Sequence, residues 1–352
     1  MNKRRFIATA FALAASYGLG SSALAQAPIQ LTFSTYIPPS YEYVAKPMET
    51  FVKQVEAESK GRIKFKVFHS GQLYDGYGEL AAVSRGDVDI VNMTGTYPSG
   101  SIPALNIFTL PFMFQDTKHL RRAIDGGLLD LGIREEMATK HNAVILGVGP
   151  FDPYEFYSKR GPIKSANDIK GKVWATTGAA DARAIQLLGG SPTGMPSSEL
   201  YLAFDRGVID GTPRDLPGAW AGAGTGGPPR PLLTGMGRSL FEVSKHVSLA
   251  TFGIDTSILT FNKKKWDSLP ADLQDIIKRA AKKRDDEQYE RVDAFIKSAL
   301  AKYETHGVKV NRIEAAEIDK MKKVTEPAVK EWAAKVQNGP RYLELIEKSK
   351  GQ

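Results

Sequence analysis

Few residues of this 352-residue chain are spaced for catalysis. The five histidines, His69, His119, His141, His246 and His306, stand apart from one another. None has a second histidine one helical turn away, and no H-E-x-x-H pair occurs, so the usual helical zinc site is not expected. There is no G-x-S-x-G elbow and no G-x-x-x-x-G-K-[ST] loop. Gly222, Gly224, Gly226 and Gly227 have the density of a phosphate cradle, but Pro228 and Pro229 deny the helix N-terminus that would supply the dipole and amides. The stretch from Gly218 to Pro231 therefore reads as a surface loop. Asp152 and Glu155 could form an acid and base pair, but a turn beside Pro153 explains their spacing more simply. The chain has no cysteine, which excludes disulfides, thiolate metal sites, a cysteine nucleophile and a lipid-modified amino terminus. No catalytic group, metal or cofactor is expected.

What remains is a set of polar and aromatic residues at the ends of expected strands, where open α/β sheets hold their ligands. Tyr36 follows the first strand, and Thr94, Thr96 and Tyr97 follow the strand after Asp89. Trp174 and Thr176 lie in the strand after Gly171, and Arg214 follows Asp210. The elements that position them can be read from periodicity. Gln30 to Tyr36 alternates as a strand, Tyr43 to Ser59 repeats as a helix closed by Gly61, and Arg62 to Phe68 alternates apolar with basic residues. One pattern then occurs twice, about 120 residues apart. Glu79-Leu80 leads to Arg85-Gly86 and Asp89, and Glu199-Leu200 leads to Arg206-Gly207 and Asp210. In each copy a helix ends at a glycine suited to its C-terminal cap, and a short apolar and aspartate segment enters a strand. Two lobes on one βα plan follow from this repeat, with the candidate residues facing each other across a cleft.

The first residues give the compartment. Lys3, Arg4 and Arg5 precede an uncharged, alanine-rich run from Phe6 to Leu19, which leads into Ala23-Leu24-Ala25. This is the form of a signal peptide over residues 1–25, with the Arg4-Arg5 pair leaving a twin-arginine route open. No later stretch approaches the roughly 20 apolar residues that a membrane helix needs. Cleavage after Ala25 leaves 327 residues and lowers the formal charge from +8 to +5, because it removes three basic residues and no acidic one. That surplus sits in mixed-sign segments such as Lys278 to Arg284, without the basic and aromatic interleaving of a nucleic-acid surface. A free periplasmic protein with no nucleic-acid partner is expected. Residues 26–150 are assigned to the first lobe, with a later return over about 240–265, and residues 151–239 to the second. Residues 266–352 are assigned to long C-terminal helices, because Leu273, Ile276, Ile277, Tyr289, Val292, Phe295, Ile296 and Leu300 recur at three- and four-residue spacing.

Taken in order, several segments resemble the solute-binding proteins of tripartite ATP-independent periplasmic (TRAP) transporters, the DctP-like group. They are Gly71-Gln72-Leu73, Gly86 to Ile90, Leu110 to Phe114, Pro162 to Ser165 with Asp168 to Lys172, Gly207 to Gly211, and Phe241 to His246. The resemblance covers nearly all of the expected mature chain. It implies a two-lobed α/β periplasmic binding protein of the Venus-flytrap kind, with hinge strands and long C-terminal helices. It also implies a small organic solute as ligand, TRAP integral membrane permease subunits as partners, and closure of the lobes on the solute.

The departures from the family pattern concern the ligand. Carboxylate-binding members place one arginine before the Pro-Ile-Lys-Ser-like segment and one after the Lys-Gly-Lys-like segment, which together clamp the acid. Those positions are Glu155 and Ala175 here. The usual aromatic residue after Met195-Pro196 is Ser197, and the usual asparagine after the second Asp-Gly is Arg214. In one reading Arg214, or Arg183 nearby, takes the carboxylate and the ligand is an organic acid, which the family as a whole favours. In the other, Glu155 faces the pocket and the ligand is neutral, zwitterionic or amine-bearing. A buried, unpaired Glu155 would be costly, so it must meet a protein or ligand donor. The expected ligand contacts are Tyr36, Thr94, Tyr97, Glu155, Trp174, Thr176 and Arg214. A receptor for another importer class and a periplasmic enzyme in the same cleft are the alternatives.

Overall fold

A computed structural model describes residues 27–215 and 240–351. The expected signal peptide and the expected loop from Gly218 to Pro231 lie outside the described residues. Among the described residues no helix is long and apolar enough to cross a membrane.

The chain opens with β1 (Ile29–Ser34), α1 (Glu42–Glu58), β2 (Ile63–Phe68), α2 (Glu79–Arg85) and β3 (Ile90–Thr94). After α3 (Thr117–Asp125) and α4 (Ile133–Lys140) comes the long strand β4 (Ala143–Ser158). The second unit is β5 (Val173–Thr176), α5 (Ala179–Leu187), β6 (Ser191–Gly194), α6 (Leu200–Asp205) and β7 (Gly211–Asp215). It is followed by α7 (Leu240–Val243), the long strand β8 (His246–Asn262), α8 (Lys263–Asp267), α9 (Ala271–Thr305), β9 (Lys309–Arg312), α10 (Ala315–Lys335) and α11 (Gly339–Lys348).

One sheet runs through both lobes in the order β2-β1-β3-β8-β4-β7-β5-β6, with β9 added to β8. The order mirrors itself. β2-β1-β3 at one end and β6-β5-β7 at the other are parallel triplets, joined through the antiparallel pair β8 and β4. The repeat in the sequence is the device that builds both triplets. Gly86 and Gly207 close α2 and α6 with φ of +82° and +71°, conformations open to glycine. The aspartate that follows is then locked to the central strand of its triplet. The Asp89 carboxylate accepts from Thr32 N at 2.7 Å while Asp89 N donates to Thr32 O at 3.0 Å. Asp210 does the same with Val173, at 3.0 and 2.8 Å.

Each half buries helices on both faces of its part of the sheet. In the first, Leu31, Phe33, Phe51 and Ile63 pack against Leu273, Ile277 and Ala281 of α9, while Met93, Phe108 and Leu120 fill the other face. In the second, Tyr157, Phe204 and Val247 pack with Tyr303 of α9, and Phe156, Trp174 and Ile185 with Met321 of α10. The helix α9 thus spans both lobes. At its crossing with β4 and β8, the fully buried Arg284 donates to Asn92 Oδ1 at 2.6 Å and to Asp285 Oδ1 at 2.6 Å. Gly147 and Gly149 permit this approach, since a Cβ there would lie 2.4 Å from Asp285 and 2.3 Å from Gln288. The region after Leu269 is not helical throughout, because the four-residue β9 adds to the edge of β8 immediately after the break at Gly307.

Candidate ligand-binding site

The two triplets point the C-terminal ends of their strands at one another, and a cavity lies between them against the middle of β4 and β8. From the first lobe, Tyr36 and Tyr41 stand after β1, Thr94 ends β3, and Tyr97 follows it. From the second, Thr177 follows β5, Ser197 follows β6, and Asp215 ends β7. Phe151 and Tyr154 of β4 and Asp255 of β8 complete the lining. The pairing of β4 with β8 shifts register between Pro150 and Pro153 and again between Tyr154 and Phe156, so the two strands bend where the cavity sits.

Each wall is held by its neighbours. The Tyr36 hydroxyl lies 2.6 Å from Thr94 Oγ1, and its ring meets Tyr97 edge to face at 5.2 Å. Tyr97 packs in turn on Tyr77 at 4.6 Å and fills the space beside Gly76, where a Cβ would lie 2.4 Å from the ring. The lobes are closed on one another. Ser197 N donates to the Tyr97 hydroxyl at 3.5 Å, Ala180 N donates to Asn106 Oδ1 at 3.2 Å, and a Cβ on Gly178 would lie 2.9 Å from Thr96.

The buried Asp255 carboxylate accepts from Thr96 N, from the Thr96 hydroxyl, and from the Tyr154 hydroxyl at 2.8 Å. Burial still pushes its pKa up to about 6, against those hydrogen bonds. Arg214 is 2% exposed and stands behind the lining rings, with its guanidinium 6.0 Å from the centre of Tyr154. It donates to Met195 O and to Pro213 O, each at 3.2 Å, while its buried Nε has no hydrogen-bond partner among the described residues. Burial works against its charge, but Tyr154, Asp181, Tyr97 and Asp215 around it hold the guanidinium above its ordinary value. Among the described residues no group of three or more histidines and carboxylates is placed to hold a metal.

The model of the bacterial extracellular solute-binding protein family 7, DctP, matches residues 33–222 and 228–335. The chain belongs to this family. A solute-binding protein of Chromohalobacter salexigens is 26% identical over 319 residues, covering 89% of each chain. The C4-dicarboxylate-binding periplasmic protein DctP of Rhodobacter capsulatus is 27% identical over 275 residues, covering 76% of this chain and 75% of its own. Among solved structures, a TRAP periplasmic solute-binding protein of Sulfitobacter with bound β-D-galacturonate superposes with a TM-score of 0.80. It is 23% identical and covers 91% of this chain and 100% of its own, which shows the shared two-lobed α/β fold. This DctP-family chain is therefore a transport protein, a solute receptor of the TRAP type.

Of the seven expected contacts, the structure brings Tyr36, Thr94 and Tyr97 together on one wall and places Arg214 off the lining, against the ring of Tyr154. The other three do not line the cavity. Glu155 turns to the bend of β8, where its carboxylate accepts from Ala250 N and, at 3.1 Å, from Thr251 N. It meets protein donors, as its burial requires, and burial raises its pKa to about 8 in spite of them. Trp174 is fully buried in the second lobe, donating to Ile169 O at 3.2 Å and packing on Phe156 and over Gly211. Thr176 is buried on β5 with its hydroxyl toward Thr193 O. The alternative clamp Arg183 lies outside the cavity, paired with both oxygens of Glu331 at 3.0 and 2.8 Å. Sequence reasoning missed Tyr41, Tyr154, Thr177, Asp215 and Asp255. Three of these are neighbours in sequence of expected contacts, and the signal that could have found Asp255 is its place as the single acid in the stretch that forms β8.

Proposed function

We propose that the protein captures one small organic solute in this cavity, closes its lobes around it, and delivers it to the TRAP permease subunits in the membrane. The observation that carries the reading is the shared wall. Tyr36, Thr94 and Tyr97 of the first lobe face Thr177, Ser197 and Asp215 of the second across this narrow cleft. A solute touching both sides has its full set of contacts only when the lobes are closed, so binding shifts the open and closed populations toward closure. The favoured solute is an organic acid. The Rhodobacter relative is a C4-dicarboxylate-binding protein and the Sulfitobacter structure holds galacturonate. With Glu155 and Ala175 at the usual clamp positions, Arg214 is the cation best placed for the carboxylate. No turnover is proposed.

The signal peptide over residues 1–25 would export the protein to the periplasm, the compartment of the Rhodobacter relative. We assign the boundary between the lobes to the bends of β4 and β8, so that the triplets β2-β1-β3 and β6-β5-β7 with their helices move as the two jaws while α9 braces both. Small-angle scattering of the purified mature protein tests the mechanism. Adding the solute that most raises the melting temperature should reduce the radius of gyration. An unchanged radius on saturation would count against closure.

A further inference from the structure

The cavity's charge is the reverse of what a simple acid needs. Two carboxylates, Asp215 and Asp255, stand on the lining, and no lysine, arginine or histidine does among the described residues. The nearest cation, Arg214, sits behind the rings and is shared with Asp181 and Asp215. The rest of the lining is largely aromatic, with Tyr36, Tyr41, Tyr97 and Tyr154 joined by Phe151, which meets Tyr41 edge to face at 6.3 Å. Two carboxylates among several aromatic rings form surroundings that attract an organic ammonium, by charge and by cation–π contact. Two orphaned polar atoms also mark where a solute belongs. Thr177 Oγ1 on the wall and Arg214 Nε behind it are buried without hydrogen-bond partners among the described residues.

We propose that the solute is zwitterionic, an organic acid that also carries a protonated amine, with the ammonium between Asp215 and Asp255 under the tyrosine rings and the carboxylate toward Arg214. The inference rests on the solute-capture reading above and adds the amine to it. It also accounts for the replaced clamp. A second arginine would repel the ammonium, whereas one arginine opposite two aspartates matches a ligand with both signs.

The test is a thermal-shift and calorimetric comparison of the mature protein against three size-matched sets. These are carboxylates without an amine, such as malate and galacturonate; amino and imino acids, such as glutamate and proline; and amines without a carboxylate, such as choline. The largest stabilisation is expected in the amino-acid set. Asp215→Asn and, separately, Asp255→Asn should each weaken the best ligand at least tenfold, with an apo melting transition showing that each variant is folded. Tightest binding by amine-free carboxylates, or affinity unchanged in both variants, overturns the amine while leaving solute capture intact. Tightest binding by amines alone overturns the carboxylate and the role given to Arg214. A flat response to all three sets overturns the solute-capture reading itself.

Discussion

The two lobes are built alike and equipped differently. β2-β1-β3 and β6-β5-β7 have the same order, their helices α2 and α6 end at equivalent glycines, and Asp89 and Asp210 fasten the same kind of backbone pair. Yet the strand ends of the first lobe present neutral hydroxyls, Tyr36, Thr94 and Tyr97, while those of the second bring Asp215 to the wall with Arg214 and Asp181 behind it. The scaffold is repeated and the chemistry is not. Shape is set by the first lobe, and charge by the second and by Asp255 on the shared strand β8.

If the scaffolds are equivalent, Asp89→Ala and Asp210→Ala should cost about the same, roughly 2 kcal/mol each for a hydrogen bond to a charged group, measured by chemical denaturation. A large inequality would break the equivalence. If charge belongs to the second lobe, Arg214→Ala should weaken solute binding at least tenfold, about 1.4 kcal/mol by calorimetry, and unchanged affinity would remove Arg214 from the site. Asp255 adds a pH signature of definite sign. With its pKa near 6, the carboxylate is charged at pH 7.5 and becomes protonated as the pH falls to 5, so affinity for an amine-bearing solute should drop several fold across that range. Thr96, Thr256 N and the Tyr154 hydroxyl donate to it, and Asp215 is the other charged group it faces. An amine-free acid would show the opposite slope. Tyr36→Phe removes only the hydroxyl that meets Thr94, and should reduce affinity about threefold, as expected for one neutral hydrogen bond. The smallest binding effect belongs to Glu155→Gln, which should leave affinity unchanged because Glu155 serves the backbone of β8. Its raised pKa makes the native carboxyl a source of stability that is lost as the pH rises from about 4.5 through about 8. The glutamine variant should therefore show a flatter melting temperature across that range.

The sequence made the fold legible because its signals were local. Alternation showed β1 and β2, three- and four-residue spacing showed α1 and α9, and the repeated Arg-Gly and Asp pattern showed two lobes on one βα plan. The site was legible to the strand end but not to the strand face. Glu155, Thr176 and Arg214 were expected on the wall, and their neighbours Tyr154, Thr177 and Asp215 line it instead. Side chains alternate along a strand, so an error of one residue exchanges cavity for core. On β4 the phase was hidden by the register shifts between Pro150 and Phe156, which no periodicity reports. Trp174 was misplaced for another reason. An aromatic residue at a strand end suits a ligand and a core equally, and Gly190 and Gly211, which make room for its ring, come close only in three dimensions.

The most direct test of the central claim is a crystal structure of the mature protein with the solute that stabilises it most. The account predicts that solute between β3 and β7, touching Tyr36 and Tyr97 on one side and Asp215 on the other, with its carboxylate toward Arg214. Density for the solute in another place, such as the groove between Arg183 and Trp332, with the interlobe cavity unfilled, would contradict it.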